Sequence, residues 1–240
     1  MKNNKITFHM DHHEHHFTGS EKVRDIVIGM SDGLTVPFAL TAGLSGAVAS
    51  NTIVITAGIA EIIAGSIAMG LGGYLAGKTE YDHYFAERKR EYDEVEKVPE
   101  KEKSEIEEIL ADYGISSEVK KKFVDELALD KDKWVNFMMK FELNLEEPHI
   151  NRARNSAITI ALAYILGGFI PLSSYFFTTA PTQGLYYSAA VTLFALLVFG
   201  YFKSKATGQE PLKGAAKTAF IGILAAASAF LIAKLVSGAH

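Results

Sequence analysis

Cysteine is absent from all 240 residues, which excludes a disulfide framework, a zinc ribbon and a thiol nucleophile. Any metal this chain binds is therefore held by oxygen, imidazole or thioether. A long basic stripe is also missing and the formal net charge is only −4, so nucleic acid is not expected as a partner. The first residues contain no apolar h-region, so no cleavable secretory signal is expected. Charge itself is scarce over most of the chain. Residues 78–151 hold 21 of the 28 Asp and Glu and 13 of the 24 Lys and Arg, a net of −8 against +4 elsewhere. An ordinary average composition thus covers two kinds of sequence, one suited to lipid and one to water.

Outside the acidic segment the chain consists mostly of long apolar runs. They extend from about Ile26 to Ala49, Thr52 to Ala76, Ala157 to Phe177, Leu185 to Phe202 and Ala215 to Val236. Each is on the order of the roughly 20 residues that a helix needs to cross a bilayer. The fold class expected is an all-α membrane protein with five transmembrane helices. A helical bundle is inserted between the second and third spans.

Basic residues flank these spans on one side only. Lys22 and Arg24 precede the first, Lys78 follows the second, Arg152 and Arg154 precede the third, and Lys203, Lys205, Lys213 and Lys217 lie between the fourth and fifth. The connections at Ser50–Asn51 and Thr178–Gly184 carry no charge. This places the N-terminus and the acidic segment in the cytoplasm; Lys234 departs from the pattern, and near a helix end it can snorkel. The divisions expected are a His-rich tail over 1–20, spans one and two over 21–77, a cytoplasmic acidic domain over 78–151 and spans three to five over 152–240. A five-helix bundle with polar residues inside it predicts a homodimer that completes a pathway.

Asp32 falls within the first span, in the run IGMSDGLTVPF. An ionisable group at that depth costs a few kcal/mol and points to function; the plainer reading is a buried Asp satisfied by a neighbouring helix. Glu21, Asp25 and Asp32, spaced by four and seven, share one helical face. Pro37 removes a backbone hydrogen bond and predicts a kink or local unwinding. In the second span Glu61 and Met69 lie eight residues, about 12 Å, apart on one side. A carboxylate aligned with a thioether suits a first-row divalent ion, although a methionine alone is ordinary core filler. Ala60, Ala64, Ala68, Gly72 and Ala76 form a small-residue stripe that predicts close helix packing.

The acidic segment reads as amphipathic helices broken at Pro99, at Gly114 and before Asp130. Glu91 with Glu94, and Glu102 with Glu105, make two E-x-x-E pairs, and Met138 and Met139 with Glu142 place thioethers and a carboxylate a turn apart. Repeated like charges on facing helices repel and invite a cation. A solvated acidic surface with interspersed lysines is the competing reading, and Glu107, Glu108, Glu118 and Glu126 are assigned to it. The tail residues His9, His12, His13, His15 and His16 are either a second metal-collecting site or a solvated segment.

The run RDIVIGMSDGLTVPFALTAGLSGA, followed by AEIIAGSIAMGLGGYLAGKTE, resembles the vacuolar iron transporter family, which includes the yeast CCC-type carriers. The resemblance runs from Glu21 to the fifth span. It implies a five-helix homodimer that exchanges cytosolic Fe²⁺ for protons, with a cytoplasmic metal-binding domain between the second and third spans. It further implies pathway residues at Asp32 and Met69, with Glu61 beside them and acidic entry positions at Glu21 and Asp25. The implied cytoplasmic ligands are Glu91, Glu94, Glu102, Glu105, Met138, Met139 and Glu142. The His-rich tail has no place in the family pattern.

The function expected is therefore proton-coupled export of Fe²⁺, with Mn²⁺, Co²⁺ or Zn²⁺ as further ions, from the cytosol across a vacuolar or bacterial inner membrane. No enzymatic activity and no tightly bound cofactor are expected. The alternatives are a membrane-tethered di-iron carboxylate oxidase and a metal sensor or storage protein. Di-iron bundles usually add Glu-x-x-His pairs, and the one candidate here, Glu146 with His149, is interrupted by Pro148.

Overall fold

The structure, a computed structural model, describes residues 19–238; the histidines of the tail lie outside them. Every regular element among the described residues is helical: α1 (Gly19–Ala47), α2 (Asn51–Lys97), α3 (Pro99–Asp112), α4 (Ser117–Leu127), α5 (Lys131–Phe141), α6 (Arg152–Ser173), α7 (Pro181–Ala206) and α8 (Pro211–Ser237), with a single 3-10 turn at Ser174–Phe177 after α6. Five of these, α1, α2, α6 with its 3-10 extension, α7 and α8, are long and apolar enough to cross a membrane. At 47 residues, α2 is about 70 Å long, more than twice the thickness of a hydrocarbon core of about 30 Å. Tyr81, Tyr84, Phe85 and Tyr92, which follow the second apolar run, therefore continue the same helix.

The chain forms two compact units. One contains the described residues up to Ser66 together with those from Thr159; the other is Ile67–Ile158. In the first unit α1 packs on α7 and α8, and α7 packs on α8. Small residues set the approach of α1 to α6. A Cβ added at Gly29 would stand 2.3 Å from the carbonyl oxygen of Ile160, and one at Gly33 would stand 2.4 Å from that of Tyr164. Apolar clusters fill the spaces between helices, among them Val54, Ile62, Leu172 and Tyr175. Polar side chains in this unit close onto backbone: Ser188 donates to the Pro171 carbonyl at 2.8 Å, and Asn51 donates to the Tyr175 and Thr178 carbonyls at 3.2 and 2.5 Å. Internal partners of this kind are what a segment in lipid requires.

The structure shows no unwinding at Pro37 and leaves the small-residue stripe of α2 exposed in the single chain. α1 remains α-helical through Pro37 with no unwound segment. Proline deprives only the carbonyl four residues back of its donor, and the close packing of Gly33 against Gly167 and of Pro37 beside Gly168 braces that turn. The stripe Ala60, Ala64, Ala68, Gly72 and Ala76 is exposed along its whole length, and nothing lies within 4 Å of a Cβ at Gly72. The close contacts of α2 fall on other faces, where a Cβ at Gly58 would meet Leu172 and one at Gly65 would meet Tyr164.

In the second unit a core of Tyr84, Val95, Ile106, Leu110, Val124, Trp134, Val135, Met138 and Met139 holds α3, α4 and α5 against the later part of α2. The breaks follow local chemistry. Pro99 opens α3, where a missing N–H costs nothing. Gly114, at φ +73°, ends it. The amides of Gly114 and Ile115 return to the carbonyls of Ala111 and Leu110 at 2.8 and 3.2 Å, a Schellman closure that a residue with a Cβ adopts with strain. Asp130 caps α5 by accepting from the Lys133 amide at 3.2 Å.

Candidate functional site

Carboxylates collect in both units, and each unit is considered by itself. In the second, Glu91 comes from α2, Glu102 from the first turn of α3, and Glu142 from the residue that closes α5. One carboxylate oxygen from each lies within 4.8 Å of the other two. Glu91 and Glu102 are fully buried, which is rare for glutamate without a partner. Both Glu102 oxygens and the Oε2 of Glu91 have no hydrogen-bond donor. At 4.8 Å, two such charges repel by about 3 kcal/mol at an effective dielectric near 20.

Two cations stand at the edge of this cluster. Arg90 reaches Glu87, Glu91 and Glu94 at 2.9, 3.4 and 3.7 Å, and Lys101 reaches Glu105 at 2.8 Å and Glu102 at 3.9 Å. They do not neutralise it. Burial, with the charges of Glu105, Glu91 and Glu94, pushes the Glu102 carboxyl up to about 7 against the pull of Lys101. Burial, with the charges of Glu91 and Glu105, pushes Glu142 up to about 7 as well. A carboxylate-only cage of this size fits a divalent cation, which would replace mutual repulsion by attraction.

The seven candidate ligands divide accordingly. Glu91, Glu102 and Glu142 converge. Glu94 and Glu105 are half-buried and take Arg90 and Lys101 as partners, close enough to act on the cluster through their charge. Met138 and Met139 are buried in the apolar core of the same unit; the Met138 carbonyl accepts from the Glu142 amide at 3.0 Å, which ties that ligand to the end of α5. Glu146 and His149 lie on an exposed irregular segment outside the cluster. Glu118, assigned to the solvated surface, pairs with Lys122 at 2.8 Å.

In the first unit, Asp32 is half-buried on α1 with no hydrogen bond or ion pair among the described residues. Its neighbour Gly33 lies directly against the Tyr164 backbone of α6. Glu61, half-buried on α2, accepts from the Tyr164 hydroxyl through Oε1, while its Oε2 is buried without a partner. Gly65, one turn beyond Glu61, makes this contact possible, because a Cβ there would stand 2.4 Å from the Tyr164 hydroxyl. The sequence reading did not single out Tyr164. A tyrosine in an apolar run is ordinary, and only the glycine at Glu61 plus four hinted that a ring inserts there. Asp25 is buried and Glu21 exposed near the start of α1, and both have partners. Met69 is half-buried on α2 and belongs to the second unit.

Comparison with known proteins agrees over nearly the full length. The profile of the VIT family matches residues 23–234. The chain is 57% identical over 228 residues to vacuolar iron transporter 1 of Arabidopsis thaliana, covering 95% of this chain and 91% of that one. It is 51% identical over 234 residues to vacuolar iron transporter 1 of Oryza sativa subsp. japonica, covering 97% and 93%. It is 40% identical over 227 residues to protein CCC1 of Saccharomyces cerevisiae, covering 89% and 69%.

Proposed function

The chain belongs to the VIT family, and from that premise we propose that it carries Fe²⁺ from the cytosol across a vacuolar membrane in exchange for protons, with Mn²⁺ and other first-row divalent ions as further cargo. Relatives named as iron transporters support metal transport across a membrane, and not enzymatic chemistry, as the activity. The observation that carries the metal reading is the Glu91, Glu102 and Glu142 cluster, in which both Glu102 oxygens and the Oε2 of Glu91 are buried without a donor from the protein. Fe²⁺ or Mn²⁺ bound there would be gathered reversibly, because carboxylates without thiolate hold such ions loosely enough to release them.

Asp32 and Glu61, with Met69 further along α2, are the proposed pathway positions, and Glu21 and Asp25 the entry positions. Each carboxylate can hold either a proton or a share of a metal ion, so occupancy by one opposes the other. That competition is the proposed basis of exchange. The basic flanks of the spans favour a cytoplasmic acidic domain. The outward stripe from Ala60 to Ala76 favours a homodimer, since small residues permit close approach of a second helix.

Flux of Fe²⁺ into proteoliposomes, with and without an imposed pH gradient, tests the reading. Uptake is expected to follow the gradient and to collapse when an ionophore dissipates it. Metal binding without flux, in vesicles holding correctly oriented protein, would overturn transport and favour a sensor.

A further inference from the structure

The turn between α7 and α8 borders a half-open cavity of about 450 Å³ that the proposed transport route does not use. Its backbone is fixed at both helix ends. Gly208, at φ +69°, closes α7, with the Gln209 amide returning to the Ser204 carbonyl at 2.8 Å and the Gly208 amide to that of Lys205 at 3.3 Å. Pro211 opens α8 immediately afterwards. Gly214 lets the two helices close on each other, since a Cβ there would fall 1.7 Å from Ser204 Oγ.

The lining is cationic. Lys203, Lys213 and Lys217 all contribute, and the one carboxylate present, Glu210, is taken by Lys213 at 2.9 Å. Lys203 and Lys217 have no hydrogen bond or ion pair among the described residues, and neither does the Gln209 side-chain amide. The hydroxyls of Thr207 and Thr218 already donate to the Lys203 and Gly214 carbonyls at 3.1 and 2.9 Å. Two unpaired lysines and a neutral amide therefore line one half-open space at the first turn of a long helix, where no side chain caps the leading amides. Lysine serves phosphate as a point charge, and a phosphate group offers more acceptors and charge than a carboxylate.

We propose that this cavity binds a phosphate group, carried either by an anionic phospholipid at the membrane surface or by a free phosphorylated anion. The exposed Phe202 and Leu212 beside it, 61% and 78% accessible, would lie against the acyl region if the group belongs to a lipid. The site is independent of the metal reading, and its test needs no transport.

Native mass spectrometry of the purified full-length protein, titrated with phosphatidylinositol 4-phosphate against phosphatidylcholine, measures the lipid arm. Thermal unfolding in inorganic phosphate against chloride of equal ionic strength measures the free-anion arm. Lys203→Gln and Lys217→Gln are each expected to weaken binding about fivefold, and together roughly 25-fold. Lys205→Gln, a lysine on the same turn that does not line the cavity, is expected to leave it unchanged, and the double Lys203→Arg, Lys217→Arg variant to retain most of it. Preference for the phosphoinositide with this pattern assigns a lipid; stabilisation by inorganic phosphate with the same pattern and no lipid preference assigns a free anion. Equal losses in Lys205→Gln and Lys203→Gln, or no preference for either probe over its control, would overturn the site.

Discussion

Glu61, among the long apolar helices, and Glu102, among the short inserted ones, are both glutamates withdrawn from water, yet their surroundings differ. Glu61 receives a hydrogen bond from Tyr164 and keeps one oxygen free. Glu102 receives none and faces two other carboxylates within 4.8 Å. In the first unit, carboxylates are spaced along helices, Glu61 held by Tyr164 and Asp32 without a hydrogen bond or ion pair among the described residues, an arrangement that suits handing an ion or a proton from one position to another. In the second they converge, and the repulsion that folding imposes on them is relieved only by protons or a cation. Separation suits passage and convergence suits capture.

The largest test of this contrast is Asp32→Ala. If the carboxylates of the first unit carry the ion and those of the second only gather it, Fe²⁺ flux into proteoliposomes falls to background while Mn²⁺ binding, measured by calorimetry, stays at the wild-type level. Wild-type flux would remove Asp32 from the pathway.

Glu102→Gln breaks the other side of the comparison. Metal affinity is expected to fall by at least about 10- to 100-fold, as for disruption of a metal's supporting groups, while the metal-free protein becomes more resistant to thermal unfolding because a buried charge is gone. Opposite signs from one substitution distinguish a ligand from a packing residue. Glu118→Gln, on the exposed face of α4, should change neither quantity.

Tyr164→Phe sharpens the contrast within the first unit. Deleting one hydroxyl leaves both Glu61 oxygens without a donor, and flux is expected to fall several-fold, up to about tenfold, with the bundle's affinity for Mn²⁺ intact. A flux equal to wild type would make the bond to Glu61 incidental.

The smallest effect expected is on thermal stability as a function of pH. Glu102 and Glu142 are pushed up to about 7 in the folded chain, from an ordinary value of 4.5. Carboxyls raised in this way favour the fold fully only below their unfolded value, and the advantage is lost as pH rises through 7. The metal-free protein should therefore unfold a few degrees lower at pH 8 than at pH 5. Saturating Mn²⁺ should shrink or reverse that slope, since deprotonated carboxylates bind metal more tightly. A midpoint that rises with pH in metal-free protein would contradict the convergence of these groups.

Much of this was legible in sequence because it is local. Five apolar runs of spanning length and the helix breaks at Pro99, at Gly114 and before Asp130 are each decided within a few residues, by hydropathy or by backbone chemistry. Helical periodicity likewise marked Glu91, Glu94, Glu102, Glu105 and Glu142 as candidates. It could not divide them, because spacing on one helix specifies a face and not what that face meets.

Tertiary structure decided the rest. Packing of α3 and α5 against α2 selects Glu91, Glu102 and Glu142 to converge and leaves Glu94 and Glu105 to Arg90 and Lys101. Closeness of α6 to α1 and α2, permitted by Gly33 and Gly65, brings Tyr164 to Glu61 and keeps α1 helical through Pro37. The small-residue stripe of α2 faces outward for the same reason: the chain's own helices occupy other faces. Sequence determined which segments are helices and which residues could carry a charge out of water. The distances between residues far apart in the chain, on which repulsion, hydrogen bonding and metal capture all depend, come only from how the helices pack.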